Sequence, residues 1–285
     1  MNNPDIIIIG GGPAGISAAL TARNRGKSVS IITNPASTSG LSKAEKIDNY
    51  PGFSGVSGAE LIETMRGHAS EVGIAFINGR VLAASTTAKS VFVSVGSDVY
   101  ETGALIIATG ITVRGAFAGE ERLLGRGVSY CATCDGMLYR NKRVAVVGMS
   151  DDAAHEANFL KEIGCEIMYF SSARPSEELR GDIPCTIAKR FEIRGETKVE
   201  ALAADGEEYP TDAVFVLRNT VSVASLLPGI ETRDGLIVTE KSMATSVPGV
   251  FAAGDCTGAP YQIAKAVGEG NIAALSASEY LDKNR

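Results

Sequence analysis

The strongest constraint on the fold is a glycine-rich turn between an apolar run and a helical pattern near the amino terminus. Residues 5–9 read Asp-Ile-Ile-Ile-Ile, which is typical of a short buried strand. Gly10, Gly12 and Gly15 follow in a GxGxxG spacing and open an amphipathic helical pattern. A second apolar run at residues 28–33 predicts the next strand, so the chain opens with a βαβ unit.

This turn has the features of a dinucleotide-binding site. The first glycine suits a tight turn, the second lets the backbone approach a pyrophosphate, and the third permits close packing of helix on strand. Pro13 and Ala14 begin the helix, whose free N–H groups attract an anion. The acidic residue expected about 20 positions later is absent, since Thr33 and Asn34 stand there. A glycine-rich turn without a ligand is the alternative.

A second βαβ unit begins in the middle of the chain. Residues 143–170 repeat the order strand, turn, helix, strand, which indicates a partial internal duplication. Residues 249–256 predict a late buried strand that ends in a turn, and residues 261–285 predict a final helix.

These patterns predict an α/β fold with two Rossmann-like domains, each doubly wound in three layers, the second inserted into the first. The predicted first domain is discontinuous and comprises residues 1–113 and 246–285. Residues 114–245 form the predicted second domain, which carries a Cys-x-x-Cys pair.

Composition and charge exclude several classes of function. The net charge of −6 argues against a general nucleic-acid role. No run reaches the roughly 18 apolar residues that a membrane span needs, so no membrane association is expected. The amino terminus lacks the basic region of a signal peptide, and the cysteine count of five is odd. A cytoplasmic location is therefore expected.

The pair Cys131 and Cys134 is the chain's most reactive pattern. Such a pair in a reducing compartment is either a redox centre or part of a metal site. A structural zinc site needs four ligands, and the sequence has no second Cys-x-x-Cys. The two histidines, His68 and His155, lack ligand spacing, so no metal is predicted. The remaining cysteines are interpreted as packing residues: Cys165, Cys185 and Cys256.

Five motifs in order resemble one family over essentially the whole chain. They are GGGPAG at Gly10–Gly15, NYPGF at Asn49–Phe53, IIATG at Ile106–Gly110, CATCDG at Cys131–Gly136 and FAAGDC at Phe251–Cys256. This set resembles the low-molecular-weight thioredoxin reductases, which are homodimers containing FAD.

The resemblance implies a redox-active disulfide between Cys131 and Cys134. It places Cys134 beside the flavin, gives Cys131 the attack on the disulfide of thioredoxin, and gives Asp135 the role of general acid and base. A helix N-cap or turn role is the alternative for Asp135.

The resemblance also implies which residues bind FAD. Asp255 is expected to bond the ribitol, Asn49 to contact the cofactor, and Thr109 and Gly110 to lie along it. In the last helix, the family's Arg-Gln-Ala is replaced after Tyr261, and the corresponding predicted contacts are Gln262, Ile263 and Ala264.

The second domain departs from the family's NADPH-binding pattern. Met149 and Ser150 stand where two glycines are expected, and Ser171 and Ser172 stand where arginines bind the 2′-phosphate. A side chain at Ser150 obstructs a pyrophosphate, and without arginines the phosphate loses its bidentate partners. The domain is interpreted as degenerate for NADPH, with NADPH binding through other residues as the alternative.

With this loss of the NADPH-binding pattern, the chain resembles the ferredoxin-dependent flavin thioredoxin reductases. The resemblance implies that reduced ferredoxin is the electron donor. An acidic ferredoxin needs a basic docking patch, and the candidates flank the cysteine pair: Arg122, Arg126, Arg140, Lys142 and Arg143. An NADPH-dependent thioredoxin reductase, a dithiol oxidase using oxygen and a non-catalytic flavin scaffold are the competing functions. The resemblance further implies a rotating second domain, with predicted hinges at Val113–Gly115 and Ala244–Ser246.

Overall fold

A computed structural model of the chain describes residues 3–34, 40–96, 98–110, 117–150, 152–218 and 223–284. The chain divides into a large unit, Met1–Val113 with Thr220–Arg285, and a small unit, Arg114–Asn219. Each unit is built on a five-stranded parallel sheet. The predicted α/β fold with one Rossmann-like domain inserted into another is confirmed.

The secondary-structure elements are numbered in chain order. The large unit contains β1 Ile6–Ile9, α1 Pro13–Asn24, β2 Val29–Thr33, α2 Gly58–Glu71, β3 Ala75–Asn78, β4 Val81–Thr86, β5 Val91–Val95, β6 Asp98–Thr102, β7 Ala104–Ile107, α6 Val223–Leu226, β16 Thr232–Arg233, β17 Leu236–Ile237, β18 Val250–Ala252 and α7 Ile263–Lys283. The small unit contains α3 Glu120–Leu123, β8 Val128–Ser129, α4 Ala132–Asp135, β9 Arg143–Met149, α5 Ala153–Glu162, β10 Glu166–Ser171, β11 Cys185–Ile187, β12 Phe191–Arg194, β13 Ala201–Ala204, β14 Glu207–Pro210 and β15 Ala213–Arg218. Short 3-10 turns occur at Leu41–Lys43, Gly136–Tyr139 and Asp255–Thr257. Among the described helices, none has both the length and the apolar character that a membrane crossing requires.

The sheet of the large unit brings distant parts of the sequence to one edge. Its strand order is β18-β7-β1-β2-β3, and every pair is parallel. All four isoleucines of β1 are buried, as expected for a central strand covered on both faces. Because the strands are parallel, the residues that follow them share the carboxyl edge: Gly10 after β1, Asn34 after β2, Ala108 after β7 and Ala253 after β18.

Small residues let α1 and α7 pack closely beside this edge. A Cβ added to Gly270 of α7 would lie 2.1 Å from the carbonyl oxygen of Ala14 in α1. The hydroxyl of Ser17 in α1 donates to the carbonyl of Val267 in α7 at 2.7 Å. The final helix is thereby fixed against the first one, and its amino-terminal turn follows the 3-10 turn Asp255–Thr257.

The parallel sheet of the small unit is apolar on both faces. Its strand order is β11-β10-β9-β15-β8. One face packs with Ala132 of α4 and Leu160 of α5 against Phe215. The opposite face packs with Ile193 and Leu202 of the antiparallel sheet β12-β13-β14. This arrangement explains why β15 is a continuous buried run rather than an alternating one.

A buried ion pair joins the two ends of the small unit. Both guanidinium Nη atoms of Arg218, the last residue of β15, donate to the carboxylate of Glu120, one of them at 2.9 Å. The same carboxylate accepts the N–H of Phe117 at 2.7 Å, and the guanidinium lies 4.7 Å from the centroid of the Phe117 ring. Removing one partner of such a pair costs about 3–5 kcal/mol, because the other charge stays buried.

The second boundary between the units differs from the prediction. The chain returns to the large unit at Thr220, whereas the sequence analysis placed this return after residue 245. The described residues of this stretch bond within the large unit: Ala252 donates its N–H to the carbonyl of Met243 at 3.0 Å, and Ala244 pairs with Phe251. The predicted hinge Ala244–Ser246 is therefore part of the large unit, and the other predicted hinge, Val113–Gly115, lies outside the described residues.

Candidate active site

The glycine turn of the large unit contains two packing glycines and one open glycine. Gly10 has φ +113°, and a Cβ there would lie 2.2 Å from the carbonyl oxygen of Ala108. A Cβ at Gly15 would lie 1.9 Å from the carbonyl oxygen of Gly10. At Gly12 an added Cβ meets no atom of the described residues within 4 Å. The turn thus needs glycine at two positions for packing, and its backbone is open at the third.

The helix that follows presents its amino terminus to this open space. Gly12 is the N-cap of α1 and offers no side-chain cap, and Pro13 occupies the first turn without an N–H. The first turn carries no acidic residue. Its free N–H groups and positive dipole end, including those of Ala14 and Gly15, suit a phosphate.

Two threonines stand at or just after the ends of β2 and β7, the strands on either side of β1, and their hydroxyl groups differ in whether they are hydrogen-bonded. The hydroxyl of Thr33 accepts the N–H of Gly11 at 3.1 Å and donates to the carbonyl of Asn34 at 3.0 Å, so it braces the turn. The hydroxyl of Thr109 is buried and finds no hydrogen-bond partner among the described residues, and Gly110 follows with φ +73°. A buried hydroxyl without a partner is unfavourable, and a polar ligand atom would satisfy it.

Asn49 and the residues before α7 come together from distant parts of the sequence. The side-chain N–H of Asn49 donates to the side-chain oxygen of Gln262 at 2.9 Å. Gln262 is the extended N-cap of α7. Ile263 begins the helix and is partly buried, while Ala264 is exposed. Two of the predicted binding side chains therefore already form a pair.

Asp255 lies in a loop that is held mainly by backbone and lysine contacts. Gly254 before it has φ +86°, and a Cβ there would lie 2.9 Å from the Cβ of Ala14. Burial raises the pKa of the Asp255 carboxyl, the nearby Lys265 opposes this rise, and Glu269 adds to it. Asp255, the residue predicted to bond the ribitol chain of FAD, is thus half-buried beside the first turn of α1.

Lys265 and Glu269 of α7 are residues that the sequence analysis missed. The Lys265 ammonium donates to the carbonyls of Gly254 at 2.9 Å and Gly258 at 2.6 Å. It also pairs with the Glu269 carboxylate at 3.1 Å, and that carboxylate accepts the N–H of Gly254 at 2.8 Å. A lysine in the first turn of a predicted helix, followed four residues later by a glutamate, is the signal that could have indicated them.

The cysteine pair of the small unit begins a short helix. Cys131 is buried and disulfide-bonded, and it immediately precedes α4. The side chain of Cys134 lies outside what the structure describes. Cys165, Cys185 and Cys256 are free thiols, and Cys185 is exposed, so the prediction that it is a packing residue was wrong. Burial raises the pKa of Cys256 to about 12, which fits the interpretation of a packing residue.

Asp135 bonds to Ser129, which stands two residues before the cysteine pair. The buried hydroxyl of Ser129 donates to the Asp135 carboxylate at 2.7 Å and accepts the N–H of Cys131 at 3.2 Å. At the 3-10 turn that follows, Asp135 makes no side-chain capping bond, so the N-cap alternative has no support. The backbone N–H of Ala132 donates to the Glu156 carboxylate at 3.1 Å, which also fixes the start of α4.

An apolar surface adjoins this helix. Met137 and Leu138 follow the cysteine motif, and their exposed fractions are 59% and 67%. Large apolar side chains exposed next to each other are typical of protein contact sites. Their position directly after the cysteine motif is the signal in the sequence that could have indicated them.

The second glycine turn differs from the first in its side chains. The Tyr169 hydroxyl of β10 would lie 1.8 Å from a Cβ added to Gly148 in β9. Ser150 stands two residues after Gly148, as Gly12 stands after Gly10, and its buried hydroxyl has no partner within the part of the chain that the structure describes. Asp152 is the N-cap of α5, and Asp151 lies outside the described residues.

The end of β10 offers little positive charge. The Ser171 hydroxyl donates to the carbonyl of Ala173 within the same turn, and Ser172 is exposed. Arg174 is the nearest cation after this turn and is exposed, and Arg180 further along is paired with Asp182 at 3.0 Å. The expected basic cluster for a 2′-phosphate is therefore replaced here by short hydroxyl side chains.

The five basic residues predicted as a docking patch are exposed on the small unit. Arg122 donates to the carbonyl of Glu196 at 2.8 Å, Arg143 lies 3.6 Å from Asp212, and Lys142 lies 5.6 Å from the centroid of the Tyr139 ring. Within the described ranges, no group of three or more histidine, cysteine, aspartate or glutamate side chains is arranged to hold a metal ion.

Comparisons with known proteins extend along the whole chain. Residues 4–270 match the model of the pyridine nucleotide-disulphide oxidoreductase family. A thioredoxin reductase of Listeria innocua is 33% identical, with 98% of this chain and 94% of the relative covered. A crystal structure of a ferredoxin-flavin thioredoxin reductase from Clostridium acetobutylicum is 40% identical, covers 99% of both chains and has a TM-score of 0.89. A thioredoxin reductase structure from Gloeobacter violaceus is 32% identical, with coverage of 99% and 95% and a TM-score of 0.80.

Proposed function

The chain belongs to the pyridine nucleotide-disulphide oxidoreductase family, and from this premise we propose that it is an FAD-dependent thioredoxin reductase whose electron donor is reduced ferredoxin. One observation carries the proposal. Cys131 is disulfide-bonded beside an aspartate that is held by a buried serine, in a chain whose other unit has an open dinucleotide turn. A disulfide, a proton carrier and a cofactor site are the parts that disulfide reduction requires.

The residues of the large unit fit FAD. The open backbone at Gly12 and the amino terminus of α1 would receive its pyrophosphate. The unpartnered Thr109 hydroxyl, the Asp255 carboxylate and the Asn49–Gln262 pair supply further polar contacts. When bound, FAD supplies electron transfer to the disulfide.

The cysteine pair performs thiol–disulfide exchange. After reduction, the Cys131 thiolate attacks one sulfur of the thioredoxin disulfide, forming a mixed disulfide and releasing the other sulfur as a thiolate. The Cys134 thiol, once deprotonated, attacks Cys131 in turn. This step restores the disulfide of the enzyme and releases dithiol thioredoxin, so two electrons and two protons have passed to the substrate.

Asp135 moves the protons in this scheme. Its carboxylate accepts a proton from a cysteine thiol and donates it to the departing thiolate. The Ser129 hydroxyl donates to the carboxylate of Asp135, the last residue of α4, and accepts the N–H of Cys131, which precedes the helix. Because Ser129 bonds both the Asp135 carboxylate and the backbone of Cys131, the carboxylate needs little movement to exchange a proton with the cysteine pair.

The apolar surface after the motif supports a protein substrate. Met137 and Leu138 are exposed three and four residues after Cys134. A small-molecule disulfide would not need such a surface, whereas a protein disulfide gains binding energy from it. The Listeria innocua relative is a thioredoxin reductase, which supports thioredoxin as that protein.

The second glycine turn supports ferredoxin rather than NADPH. Ser150 stands where a pyrophosphate needs glycine, and Ser171 and Ser172 stand where a 2′-phosphate needs arginine. The similar enzyme from Clostridium acetobutylicum is a ferredoxin-flavin thioredoxin reductase. The exposed basic residues near the cysteine pair offer an acidic ferredoxin a complementary surface.

We propose a homodimer as the working assembly, as the resemblance implies. Analytical ultracentrifugation of the flavin-bound protein should give twice the mass of one chain. A single-chain mass at micromolar concentration would contradict this part of the proposal.

Stoichiometric reduction tests the disulfide chemistry without assuming a donor. The protein is reduced anaerobically with dithionite, freed of excess reductant and mixed with oxidised thioredoxin, and the thioredoxin thiols are counted. We expect the wild type and the matched control Cys185→Ser to form dithiol thioredoxin, and Cys131→Ser to form none. Equal thiol formation by Cys131→Ser would overturn the proposal.

A further inference from the structure

The amino-terminal turn of α7 contains a lysine that is unfavourable for the helix. Lys265 is in the first turn of α7, where the positive end of the helix dipole repels a cation, and that turn has no acidic residue. Its partner Glu269 lies four residues later, and lysine before glutamate is the weaker order for such a pair. Helix stability therefore does not explain Lys265.

The burial of this pair also carries a cost. The side chains of Lys265 and Glu269 are only 15% and 18% exposed. Burying an ion pair gains little net stability, because both charges lose water. The same helix has a pair in the favourable order, Glu279 and Lys283, whose side chains are 65% and 70% exposed. The preferred order, glutamate before lysine, is therefore present near the carboxyl end of α7 and reversed at its amino end. We attribute the reversed pair to function rather than to helix stability.

The contacts of the pair all converge on one loop. Lys265 donates to the carbonyls of Gly254 and Gly258 and to the Thr257 hydroxyl at 3.0 Å. Glu269 accepts the N–H of Gly254 and the Thr257 hydroxyl, the latter at 3.0 Å. The loop is thus bound at both of its ends and in its middle.

This loop needs such support because its backbone is unusual. Gly254 and Gly258 have φ values of +86° and +117°. Asp255 stands between them, half-buried beside Cys256. The charged groups that act on the Asp255 carboxylate are Lys265 and Glu269, both of α7.

We infer that Lys265 and Glu269 are positioning residues for the proposed FAD site, which hold the Gly254–Gly258 loop so that Asp255 meets the cofactor as a carboxylate. The inference deepens the proposed function and rests on it. Lys265 stabilises the charge on Asp255, and Glu269 opposes that charge while anchoring both Lys265 and the loop backbone. An ionised Asp255 is the form that accepts a hydroxyl hydrogen bond from a ribitol chain.

Flavin affinity as a function of pH tests the inference. FAD released from diluted holoprotein is measured by its fluorescence between pH 5 and 8, for the wild type and for Lys265→Met, Lys265→Arg, Glu269→Gln and Lys283→Met. We expect Lys265→Met to raise the FAD dissociation constant at least about tenfold, the scale of a lost charge-assisted hydrogen bond. Lys265→Arg should restore most of the affinity, and Lys283→Met should equal the wild type.

The pH dependence distinguishes a charge effect from loss of structure. Without Lys265, Asp255 takes up its proton at higher pH, so on acidification the affinity of Lys265→Met should fall earlier than that of the wild type. Glu269→Gln should shift this fall to lower pH. A loss in Lys265→Met that is the same at every pH and is not restored by arginine would overturn the inference, as would an unchanged dissociation constant.

The failure of this inference can be separated from the failure of the proposed function. Thioredoxin reduction is measured on the same wild-type holoprotein. Tight FAD binding without thioredoxin reduction would reject the proposed function and leave the affinity results to decide on Lys265 and Glu269. A wild-type protein that does not bind FAD would overturn both.

Discussion

At the scale of single residues, the two aspartates that follow sequence motifs occupy contrasting environments. Asp135 is held by a serine hydroxyl in the small unit, whereas Asp255 is half-buried under the influence of a lysine and a glutamate in the large unit. The Ser129 hydroxyl fixes the orientation of Asp135, whereas burial opposes the charge on Asp255 and Lys265 supports it.

Asp135→Asn should slow thioredoxin reduction while leaving flavin binding intact. The amide keeps the size of the side chain but cannot take up a proton, so we expect turnover to fall about a hundredfold, the lower end of general acid–base effects. Steady-state turnover and flavin content measure the two properties. Asp182→Asn, a surface change in the same unit, is the control, and unchanged turnover in Asp135→Asn would remove Asp135 from the mechanism.

Asp255→Asn should stabilise the flavin-free protein while it weakens FAD binding. Because burial raises the pKa of Asp255, ionisation of the carboxyl costs folding free energy at pH values above its pKa in the folded protein. That cost disappears below the pKa of the unfolded chain, near 3.9. Thermal unfolding should show a slightly higher midpoint for the variant at pH 7, and this difference should shrink as the pH falls to about 4 and vanish below it. A variant less stable at pH 7 would contradict this.

The free cysteines should differ in their reaction with iodoacetamide. Cys185 is exposed, whereas Cys165 and Cys256 are buried. The Cys256 thiol, with a pKa of about 12, has almost no thiolate at pH 8. Mass spectrometry of the non-reduced native protein should find label on Cys185 before either of the others. Early labelling of Cys256 would show that its environment is more open than the structure indicates.

Sequence reasoning found residues with motifs and missed residues that act through contacts. Cys131, Asp135 and Asp255 stand in recognisable runs. Lys265 bonds to a loop seven to eleven residues earlier in the chain, and only the folded backbone shows that its ammonium reaches the carbonyls there. A sequence motif does not indicate which backbone carbonyl groups a side chain will reach in the folded protein.

At the scale of elements, the glycines of the amino-terminal strand–turn–helix differ in function: some are required for packing, and one leaves the backbone open. Gly15 has no room for a Cβ because the carbonyl oxygen of Gly10 lies against it, whereas Gly12 faces open space. The three positions look equivalent in the sequence, and the packing of helix on strand separates them.

The paired variants Gly12→Ala and Gly15→Ala test this division. Gly15→Ala should destabilise the flavin-free protein by about 1–3 kcal/mol through overpacking. Gly12→Ala should change stability by less than about 1 kcal/mol but weaken FAD binding, since its methyl group would stand in the open space. Urea unfolding and FAD fluorescence measure the two properties, and the reverse assignment of effects would contradict the account.

The elements themselves were predictable wherever hydrophobic periodicity is strong. The predicted strands at 5–9 and 28–33 correspond to Ile6–Ile9 and Val29–Thr33. The predicted final helix begins two residues later than expected, at Ile263, because Gln262 is extended as its N-cap. The antiparallel sheet of β12, β13 and β14 was not predicted, although Asp205 and Gly206 form a two-residue hairpin signal between β13 and β14.

At the scale of the whole molecule, two related α/β units have diverged in what they offer a dinucleotide. The large unit keeps an open glycine, Gly12, at its strand edge. In the small unit, Ser150 stands at the corresponding position, and Tyr169 packs against Gly148. The cysteine pair belongs to this second unit. This division supports a protein electron donor in place of a bound nicotinamide.

The insertion of one unit into the other was predictable from the duplicated βαβ pattern, but its second boundary was not. Residues 223–245 contain only short elements, which carry little periodicity. Their assignment depends on hydrogen bonds to β18, such as that between Ala252 and Met243. Hydrogen bonds between backbone segments of this kind cannot be predicted from local sequence patterns.

An anaerobic spectral titration of the purified flavoprotein tests the central claim most directly. NADPH, NADH and reduced ferredoxin are added in separate experiments while the absorption band of the flavin is followed. The account predicts that reduced ferredoxin bleaches the band and that neither nicotinamide does so. Rapid, stoichiometric bleaching by NADPH would contradict the interpretation of Ser150, Ser171 and Ser172 and identify an NADPH-dependent reductase.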